Sequence, residues 1–405
     1  MQLIKAGTGR STQSNSFQAG VEAAEKAIKG IYGTPDAMLV FASPGYDHES
    51  LLEGIASVAE NVPMAGGTTA GEISSEGFSE NSVVILAVRS DILRFVTAVA
   101  EGMRDDEYEC ALSFVHAVQD KCHAGPALSL FVFPDGMGGD GIKVIDGMQA
   151  GMRNPIEIVG GFLGDNDRFS HTYQYCNGKA YQNAITGMLI CIPLSADVRT
   201  GIGVGSGFAS IGNSMYCTSS EGNVIKEIDH EPALDIYMDL LGEERSKRLP
   251  EICLEYPFGL IDSQSIATSL PYFQIRCGLS VDYEEKSITL AGSVPQGSAM
   301  TLTSGSRGDL INGARMAAER AKDCLRGCEP ELIVVFSCVG RKIVLGRRVE
   351  EEVAAVKTVL GSDVPLIGFY TYGEIGPVDK LTEDLSAVRF HNETMVVWVV
   401  GGPDL

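Results

Sequence analysis

The residue types best suited to binding or catalysis gather in three short segments near the C-terminal end of the chain. The segment FSCVGR holds a thiol and a guanidinium, FYTYGE holds two phenols and a carboxylate, and FHNET holds an imidazole and an amide. A guanidinium can bind a carboxylate or phosphate through two parallel hydrogen bonds, and a carboxylate can bind an ammonium group. Such a set suits an amino-acid-like ligand or a small anion. We therefore predict a ligand pocket formed by Cys338, Arg341, Tyr370, Tyr372, Glu374, His391 and Asn392.

The first two segments each end an apolar run that is typical of a strand. ELIVVFSC precedes Arg341, and PLIGFYT precedes Glu374. In α/β folds, the loops at the carboxyl ends of strands are where ligands usually bind. A second interpretation stays open, because Arg341 and Glu374 could instead form a structural ion pair.

An internal repeat shows which of these residues are unusual. Residues 63–73 (PMAGGTTAGEI) and 365–375 (PLIGFYTYGEI) share Pro, two Gly, Glu and Ile at the same positions, and residues 155–165 (PIEIVGGFLGD) are a looser copy. Copies of one fold need the same packing residues, so polar groups found in one copy alone point to function. Because Glu72 matches Glu374, a structural role for both glutamates also stays open. The first and second copies supply the secondary candidates Thr68, Thr69, Glu72 and Asp165.

Each copy lies within the same order of predicted elements. An apolar strand opened by a proline (PDAMLVFAS, PALSLFVFPDG and PELIVVFSC) is followed by an amphipathic helix, the Pro-Gly segment and a β-rich run, and a further helix precedes copies one and three. The pattern predicts an α/β or α+β fold with mixed, largely antiparallel sheets flanked by helices, built from repeated helix–strand–helix–strand–hairpin units. Tight turns or close strand contacts are expected at Gly66, Gly71, Gly368 and Gly373.

The repeat also suggests where the domains divide. Residues 1–103 and 104–204 are expected to form two units of one domain, and residues 205–405 a second domain. A Gly- and Ser-rich stretch over residues 203–222 marks the joint between them. A strand-and-helix section, GNVIKEIDHEPALDIYMDLLG, is inserted before the third copy.

In these segments the sequence resembles the FIST family, whose members carry an N-terminal and a C-terminal FIST domain. The N-terminal resemblance rests on PDAMLVFAS, VPMAGGTTAGEI and VGGFLGDNDRFSHTYQYCNG. The C-terminal resemblance rests on EGNVIKEIDHEPALDIY, SVPQGSAMTL, VVFSCVGR, PLIGFYTYGEIGP and HNETM. The resemblance covers nearly the whole chain and implies FIST domains at 1–204 and 205–405.

The resemblance implies a stand-alone sensory protein that binds a small ligand in intracellular signal transduction. No kinase, receiver or cyclase segment is found after the second domain. We therefore expect the protein to act through a separate signalling protein such as a kinase or a receptor.

Two other functions stay open. Some members of the family are haem proteins that respond to nitric oxide, and His391 or His171 could supply a haem ligand here, although no CxxCH motif for covalent haem is present. Alternatively, Cys338 and His391 could form the thiolate pair of a thiol-dependent enzyme. The sequence has no GxSxG, HExxH, GxGxxG or P-loop motif, so it favours a binding protein over an enzyme.

Composition narrows the range of partners. The chain of 405 residues has 31 Lys and Arg against 53 Asp and Glu, a net charge of −22, which disfavours nucleic acid and anionic membrane surfaces as partners. Neither a signal peptide nor an apolar span of about 20 residues is found, so no membrane insertion is expected. The ten cysteines form no CxxC pair. We expect buried free thiols in the cytoplasm, without a zinc site or a disulfide framework.

Overall fold

Three repeated units build the described part of the chain, which in this computed structural model comprises residues 4–122, 125–193, 198–261, 273–377 and 388–402. Each unit contains a strand, a helix, a strand, a helix, a strand, a two-stranded hairpin and a closing strand, in that order. In the first unit these elements are β1 (Ile4–Ser11), α1 (Ser16–Ile31), β2 (Ala37–Ala42), α2 (His48–Val58), β3 (Met64–Thr68), β4 (Glu72–Ser74), β5 (Gly77–Ser79) and β6 (Val83–Ser90).

The second unit repeats this order, and the third repeats it with a long interruption after its first strand. The second unit consists of β7 (Arg94–Glu101), α3 (Glu107–Asp120), β8 (Ala127–Pro134), α4 (Gly141–Gly151), β9 (Glu157–Gly161), β10 (Gln174–Cys176), β11 (Lys179–Tyr181) and β12 (Ala184–Cys191). The third unit begins with β13 (Arg199–Gly205). The interruption holds β14 (Ala209–Ser210), β15 (Met215–Glu221), β16 (Val224–Ile228), β17 (Glu231–Pro232), α5 (Ala233–Leu241), α6 (Glu243–Ser246), β18 (Phe258–Ile261), β19 (Phe273–Arg276), β20 (Gly278–Asp282), β21 (Ser287–Leu290) and β22 (Ala299–Ser304). The third unit then resumes with α7 (Arg307–Cys324), β23 (Glu329–Cys338), α8 (Val339–Leu345), α9 (Val349–Leu360), β24 (Leu366–Thr371), β25 (Glu374–Pro377), β26 (Val388–His391) and β27 (Met395–Gly402).

Polar residues just before the helices explain where several of them begin. The side chains of Asn15 and Asp47 accept backbone N–H groups from the first turns of α1 and α2. Asp106 and Asp140 do the same for α3 and α4, and Ser306 forms a capping box at α7. Such caps satisfy N–H groups that have no partner inside the helix, and each contributes about 1 kcal/mol. The repeat therefore preserves local start signals as well as the apolar pattern.

The sheets are completed by an exchange of hairpins between units. Among the described residues, three six-stranded sheets have the orders β1-β6-β2-β3-β10-β11, β7-β12-β8-β9-β25-β26 and β13-β27-β23-β24-β4-β5. The hairpin of unit two (β10 and β11) completes the sheet of unit one, and the hairpin of unit three (β25 and β26) completes the sheet of unit two. The hairpin of unit one (β4 and β5) completes the sheet of unit three. The three units are thus interlocked in a closed ring, and each sheet needs strands from two units.

In each sheet the second and third strands of the unit (β2 with β3, β8 with β9, and β23 with β24) are parallel neighbours, and a glycine permits their close approach. A Cβ atom on this glycine would lie 1.9–2.0 Å from the carbonyl oxygen of the facing valine, so no side chain fits there. This confirms the expected close strand contact for Gly66 and Gly368, whereas Gly71 and Gly373 lie against the rings of Phe78 and Phe390. The facing pairs are Val40 with Gly66, Val132 with Gly160, and Val335 with Gly368.

The inner faces of the three sheets share one aromatic core. Phe41 of unit one, Phe133 of unit two, and Phe336 and Phe369 of unit three are all fully buried. The centroid of the Phe369 ring lies 4.5 Å from that of Phe41 and 5.6 Å from that of Phe336. The paired helices α1 with α2, α3 with α4, and α7 with α9 lie outside the sheets. The predicted mixed, largely antiparallel sheets flanked by helices are confirmed.

The interruption of the third unit, residues 206–305, forms an inserted domain. Its described strands build a nine-stranded sheet. Helix α5 packs on this sheet and adds Leu234 and Tyr237 to a core that includes Phe258 and Ile288. Among the helices that the structure describes, none is long and apolar enough to cross a membrane.

Two strands join a different unit from the one expected from sequence. β7 pairs with β12, and β13 pairs with β27. By sheet membership the second and third units therefore begin one strand earlier than the expected boundaries at 103/104 and 204/205. The apolar pattern of such a strand is compatible with the preceding unit and with the following one. Only the strand with which it pairs shows to which unit it belongs. The division into domains 1–204 and 205–405 stays a prediction.

A disulfide joins Cys122 to Cys191, which corrects the expectation that all ten thiols are free. Cys122 follows α3 and Cys191 ends β12, so the bond ties the helix to the sheet of the second unit. The other eight cysteines are free, and six of them are buried.

Phe369→Ala is expected to destabilise all three units together, because the aromatic ring of Phe369 contacts both Phe41 of unit one and Phe336 of its own unit. Loss of a buried phenylalanine costs about 3–5 kcal/mol. The measurement is urea unfolding followed by the fluorescence of Trp398, which is fully buried. Phe169→Ala is the control, because that ring is 58% exposed. Equal stability losses in the two variants would contradict a shared core at Phe369.

Candidate functional site

The strand registers bring the predicted residues to equivalent places in the three units. Each unit has one polar residue at or just past the end of its second strand and another at the start of its exchanged hairpin. Three related polar sites therefore lie at the carboxyl ends of the parallel strand pairs. The first position holds Ser43, Asp135 and Cys338, and the second holds Glu72, Gln174 and Glu374.

In the first unit, Glu72 is enclosed by hydroxyl groups. Its Oε1 accepts from the Thr69 hydroxyl at 2.6 Å and from Ser43 at 2.8 Å. Its Oε2 accepts from the Ser82 hydroxyl at 2.6 Å and from the Ser82 backbone N–H at 3.2 Å. The side chain is fully buried, and burial raises its pKa to about 7 despite these donors.

Glu374 of the third unit has a matching environment. Its Oε1 accepts from the Thr371 hydroxyl at 2.5 Å, and its Oε2 accepts from the hydroxyl and the backbone N–H of Thr394 at 2.8 and 3.1 Å. Burial again raises the pKa to about 7. Because the two units surround their glutamates in the same way, the geometry supports the structural role that was left open for Glu72 and Glu374.

Arg341 is fully buried and its guanidinium is occupied by protein groups. Nε donates to Oε1 of Glu352 at 2.7 Å, Nη2 donates to the Leu310 carbonyl at 2.7 Å, and Nη1 donates to the Ser206 carbonyl. Glu352 also accepts from the hydroxyl of Tyr370 at 2.7 Å. Arg341 thus forms a structural ion pair, but with Glu352 on α9 rather than with Glu374. These contacts engage Arg341 and Tyr370 within the protein, and their predicted part in a ligand pocket stays a prediction.

Tyr372 and Asp165 form a junction between the third and second units. The Tyr372 hydroxyl donates to Oδ1 of Asp165 and accepts from the backbone N–H of Asp167 at 3.0 Å. Burial raises the pKa of Asp165, but bonds from Tyr372 and from the backbone N–H groups of residues 169–171 outweigh this and hold the pKa below its ordinary value. Phe169 stacks on the Tyr372 ring at 4.7 Å between centroids.

Cys338 lies in surroundings that oppose a thiolate. The side chain is buried, and burial together with the charges of Glu374 and Glu393 raises the pKa of the thiol well above its ordinary value. Nε2 of His391 bonds to the carbonyl of Gly376 at 3.0 Å, and burial lowers the pKa of this histidine to about 4. The imidazole is therefore neutral at pH 7. These surroundings do not support the Cys338–His391 pair of a thiol-dependent enzyme.

The turn before β27 holds the least satisfied polar groups of the third unit. Asn392 and Glu393 are 1% and 0% exposed. No described residue hydrogen-bonds to Oδ1 of Asn392 or to either carboxylate oxygen of Glu393. Burial, reinforced by Glu374 and Glu352, raises the pKa of Glu393 to about 8, although Arg341 opposes the shift. A buried carboxylate without a hydrogen-bond donor is costly, so it points to a missing partner.

The structure therefore divides the predicted pocket. Cys338, Glu374 and the turn at Asn392 lie together, with the ion pair of Arg341 beside them. Tyr372 faces the second unit instead. Of the secondary candidates, Thr69 belongs to the Glu72 shell, and Thr68 accepts the Tyr173 backbone N–H at 3.0 Å. The role of all these residues in ligand binding stays a prediction.

Three functional candidates were missed from the sequence. Glu352 lies in the acidic run Glu350–Glu352, which is typical of a solvated helix face. Lys342 bridges the units, because its Nζ donates to the Ala70 carbonyl at 2.7 Å and to Glu80 at 2.9 Å. For Glu393 a signal was present, since the repeat aligns it with Asn81.

The haem alternative rests on His391 and His171. His171 is exposed, and its Nδ1 bonds to the Ser170 hydroxyl at 2.8 Å, while His391 is bonded to Gly376 as described. Among the described residues, no group of three or more His, Cys, Asp or Glu is placed to hold a metal ion. The absorption spectrum of haem-supplemented protein remains the direct test of this alternative.

Three interlocked α/β units, an inserted domain in the third and a buried polar site beside it define the architecture of the described residues. Residues 36–231 match the FIST N domain and residues 233–377 match the FIST C domain. The chain belongs to the FIST family, whose domains are small-ligand sensory domains in signalling.

The relatives carry no assigned function. An uncharacterized protein of Methanocaldococcus jannaschii is 22% identical over 95% of this chain and 77% of its own length. An uncharacterized protein of Mycobacterium tuberculosis is 25% identical over 55% of this chain, and the match spans 56% of that relative.

Solved structures give a loose likeness in shape. A cyanuric acid hydrolase from A. caulinodans aligns over 99% of this chain and 100% of its own, with 9% identity and a TM-score of 0.38. A chorismatase aligns over 99% of both chains, with 8% identity and the same TM-score of 0.38. Both scores are below 0.5, too low to transfer an activity.

The double variant Glu72→Gln, Glu374→Gln is expected to flatten the dependence of stability on pH. The folded pKa of each group is about 7 against an ordinary value of 4.5. The folded state thus holds protons that the unfolded chain releases, and this stabilisation is present below pH 4.5 and lost as the pH rises through 7. Each group contributes at most about 3 kcal/mol to this loss.

The measurement is urea unfolding of wild type and double variant from pH 5 to pH 8. The difference between the two curves is decisive, because His48 and His391, with pKa values lowered to about 4 by burial, act in the opposite sense in both proteins. Parallel curves would contradict the raised pKa values.

Cys338 is expected to react with iodoacetamide at pH 8 more slowly than Cys324 and Cys328, which are only partly buried. The reason is the burial and raised pKa of the Cys338 thiol. Peptide mass spectrometry over a time course gives the three rates within one sample. If Cys338 reacts fastest, the thiol-dependent enzyme becomes the better hypothesis.

Proposed function

We propose that this chain is a small-ligand sensory protein in intracellular signalling, and that its ligand carries an amino group bound by Glu393 and Asn392. The supporting observation is the set of three buried acceptor oxygens on these two consecutive residues that have no hydrogen-bond partner among the described residues. An ammonium group has three N–H donors and a positive charge, so it matches this set. The ligand class is therefore amino-acid-like.

The comparison between units supports a special role for this turn. Asn81, Asn183 and Glu393 occupy the same turn before the closing strand, with φ values of 53°, 53° and 55°. Asparagine tolerates this left-handed conformation well, whereas glutamate is uncommon there. Only the third unit replaces the favoured asparagine by an acid, and that acid receives no hydrogen bond from any residue whose position the structure describes.

The electrostatics favour a cationic group over an anion at this place. Burial, followed by repulsion from Glu374 and Glu352, raises the pKa of Glu393 to about 8 although Arg341 opposes the shift, so the group is largely ionised at pH 7 only when a cation pairs with it. The donors of Arg341, the cation beside them, are occupied by Glu352 and by backbone carbonyls. A ligand ammonium would relieve the repulsion among the carboxylates, whereas a small anion would add to it.

The contacts of the inserted domain suggest how binding would reach a partner. Nε2 of Gln274 and Nη1 of Arg276, both on β19, donate to the Phe390 carbonyl at 2.9 and 3.3 Å. Phe390 lies two residues before Asn392, so a ligand at the turn would alter the anchorage of the inserted domain. We propose that a separate signalling protein in the cytoplasm, such as a kinase or a receptor, recognises this change.

The test uses Glu393→Gln, which preserves size and removes the negative charge. Thermal shift and isothermal titration with the twenty amino acids and with linear diamines should identify amines that stabilise wild type. The same ligands should bind Glu393→Gln at least about tenfold more weakly, a loss of about 1.4 kcal/mol. Propanol and butanol, which lack both an amino group and a carboxylate, should have no effect on either protein.

Glu284→Gln is the matched control, because it removes one negative charge from an exposed turn of the inserted domain. It should bind the amines as wild type does. Equal amine affinity in wild type and Glu393→Gln, or the absence of any response of wild type to this panel, would overturn the proposal.

A further inference from the structure

An open cleft of about 840 Å³ lies at the border between the first and second units. It is formed by the loop between α1 and β2 and by the turn between β6 and β7, so both units contribute. It is separate from the turn at Glu393, whose residues do not line it. The lining residues are Gly33, Thr34, Asp36, Arg89, Ser90, Asp91, Leu93, Arg94, Phe95 and Val96.

Two guanidinium groups in this cleft are held in place by backbone oxygens and retain unused donors. Nη1 of Arg89 donates to the Tyr32 carbonyl at 3.1 Å, and Nη1 of Arg94 donates to the carbonyls of Asp91 and Leu93 at 3.2 and 2.8 Å. The Nε and Nη2 atoms of both arginines make no hydrogen bond or ion pair with the residues that the structure describes. Positioned guanidinium donors of this kind bind carboxylates and phosphates.

The chain beside Arg89 is adapted to this arrangement. A Cβ atom on Gly33 would lie 2.1 Å from Nη1 of Arg89, so a side chain at this position would displace the guanidinium. Tyr32, whose carbonyl receives the bond, has a φ of 53° and an 85% exposed side chain. Tyr32 is the C-terminal cap of α1, where a left-handed residue commonly ends a helix, and the bond from Arg89 satisfies a carbonyl at this helix end.

The turn that carries the two arginines is fixed by Ser90. The Ser90 hydroxyl accepts the backbone N–H groups of Ile92 and Leu93 at 3.3 and 3.1 Å, and the Ser90 N–H donates to Asp36 at 2.9 Å. One carboxylate of the cleft is thereby engaged in holding the turn. Asp91 opposes an anion, so a ligand needs an acidic group placed directly on the guanidinium groups.

We propose that this cleft is a second ligand site, which takes a small organic carboxylate or phosphate with an apolar body. The acidic group binds the unused donors of Arg89 and Arg94, and the apolar body lies on Phe95 and Val96, which are partly buried beside them. The site does not depend on the proposed function of Glu393. It would give a sensory protein a second input at the border between two units.

The test measures the binding of benzoate and phenyl phosphate to the full chain by isothermal titration, with benzyl alcohol as the uncharged probe. Arg89→Gln and Arg94→Gln should each weaken binding of both anions about tenfold or more. Gly33→Ala should weaken it similarly by displacing Arg89. Arg347→Gln removes one positive charge from an exposed residue outside the cleft and should bind as wild type does.

The comparison between the two anions distinguishes a general oxyanion site from one selective for phosphate. Equal affinities of wild type, Arg89→Gln and Arg94→Gln would overturn the proposal, as would equal binding of benzyl alcohol and benzoate. Glu393→Gln should leave anion binding unchanged, so failure of this proposal is distinguishable from failure of the amine site.

Discussion

Backbone hydrogen bonding between units is the constraint on which the rest of this molecule depends. The third strand of each unit would be a sheet edge, and the hairpin that covers it comes from another unit. In the first two units each strand of these hairpins has only three residues, too short to be stable alone. Each hairpin and the third strand with which it pairs therefore stabilise each other. Because the two always belong to different units, this pairing closes the ring of three units. The shared phenylalanine core, to which all three units contribute, forms only once the ring is closed.

Two buried glutamates of the third unit differ in their hydrogen-bond partners. Glu352 receives a guanidinium, a phenol and a serine hydroxyl, and its negative charge is fully compensated. Glu393, in the same unit, receives no hydrogen bond from the described residues. Burial of a charge is tolerated when it is paired and costs several kcal/mol when it is not. Burial raises the pKa of Glu393 to about 8, so the folded chain avoids this cost at neutral pH by keeping the group protonated, in contrast to the paired carboxylate of Glu352.

The sequence predicted what depends on local pattern and missed what depends on pairing. The repeat located the Pro-Gly segments and the close strand contact at Gly66 and Gly368. A position that faces a carbonyl oxygen at this distance has no room for a side chain, so glycine recurs there in each copy of the repeat. It could not show the exchange of hairpins, since strands of three residues carry no information about their partner. The burial of Glu352 on α9 was missed for a related reason. The run Glu350–Glu352 has the composition of a solvent-exposed helix face, yet Glu352 is buried against Arg341. For the turn at Glu393, the departure from Asn81 was visible in the alignment of the repeats, but only the structure showed that the acid lacks a donor.

The contacts of Arg341 also explain how the third unit accommodates the inserted domain. The Arg341 guanidinium binds the carbonyl of Ser206, where the chain leaves the third unit, and that of Leu310, just after the chain returns. The two ends of a long insertion are thus held together by one side chain that belongs to the host unit. The first and second units connect the same two elements by short loops. The third unit therefore carries about a hundred additional residues between two neighbouring points, and its sheet keeps the same strand order as the sheets of the units without an insertion.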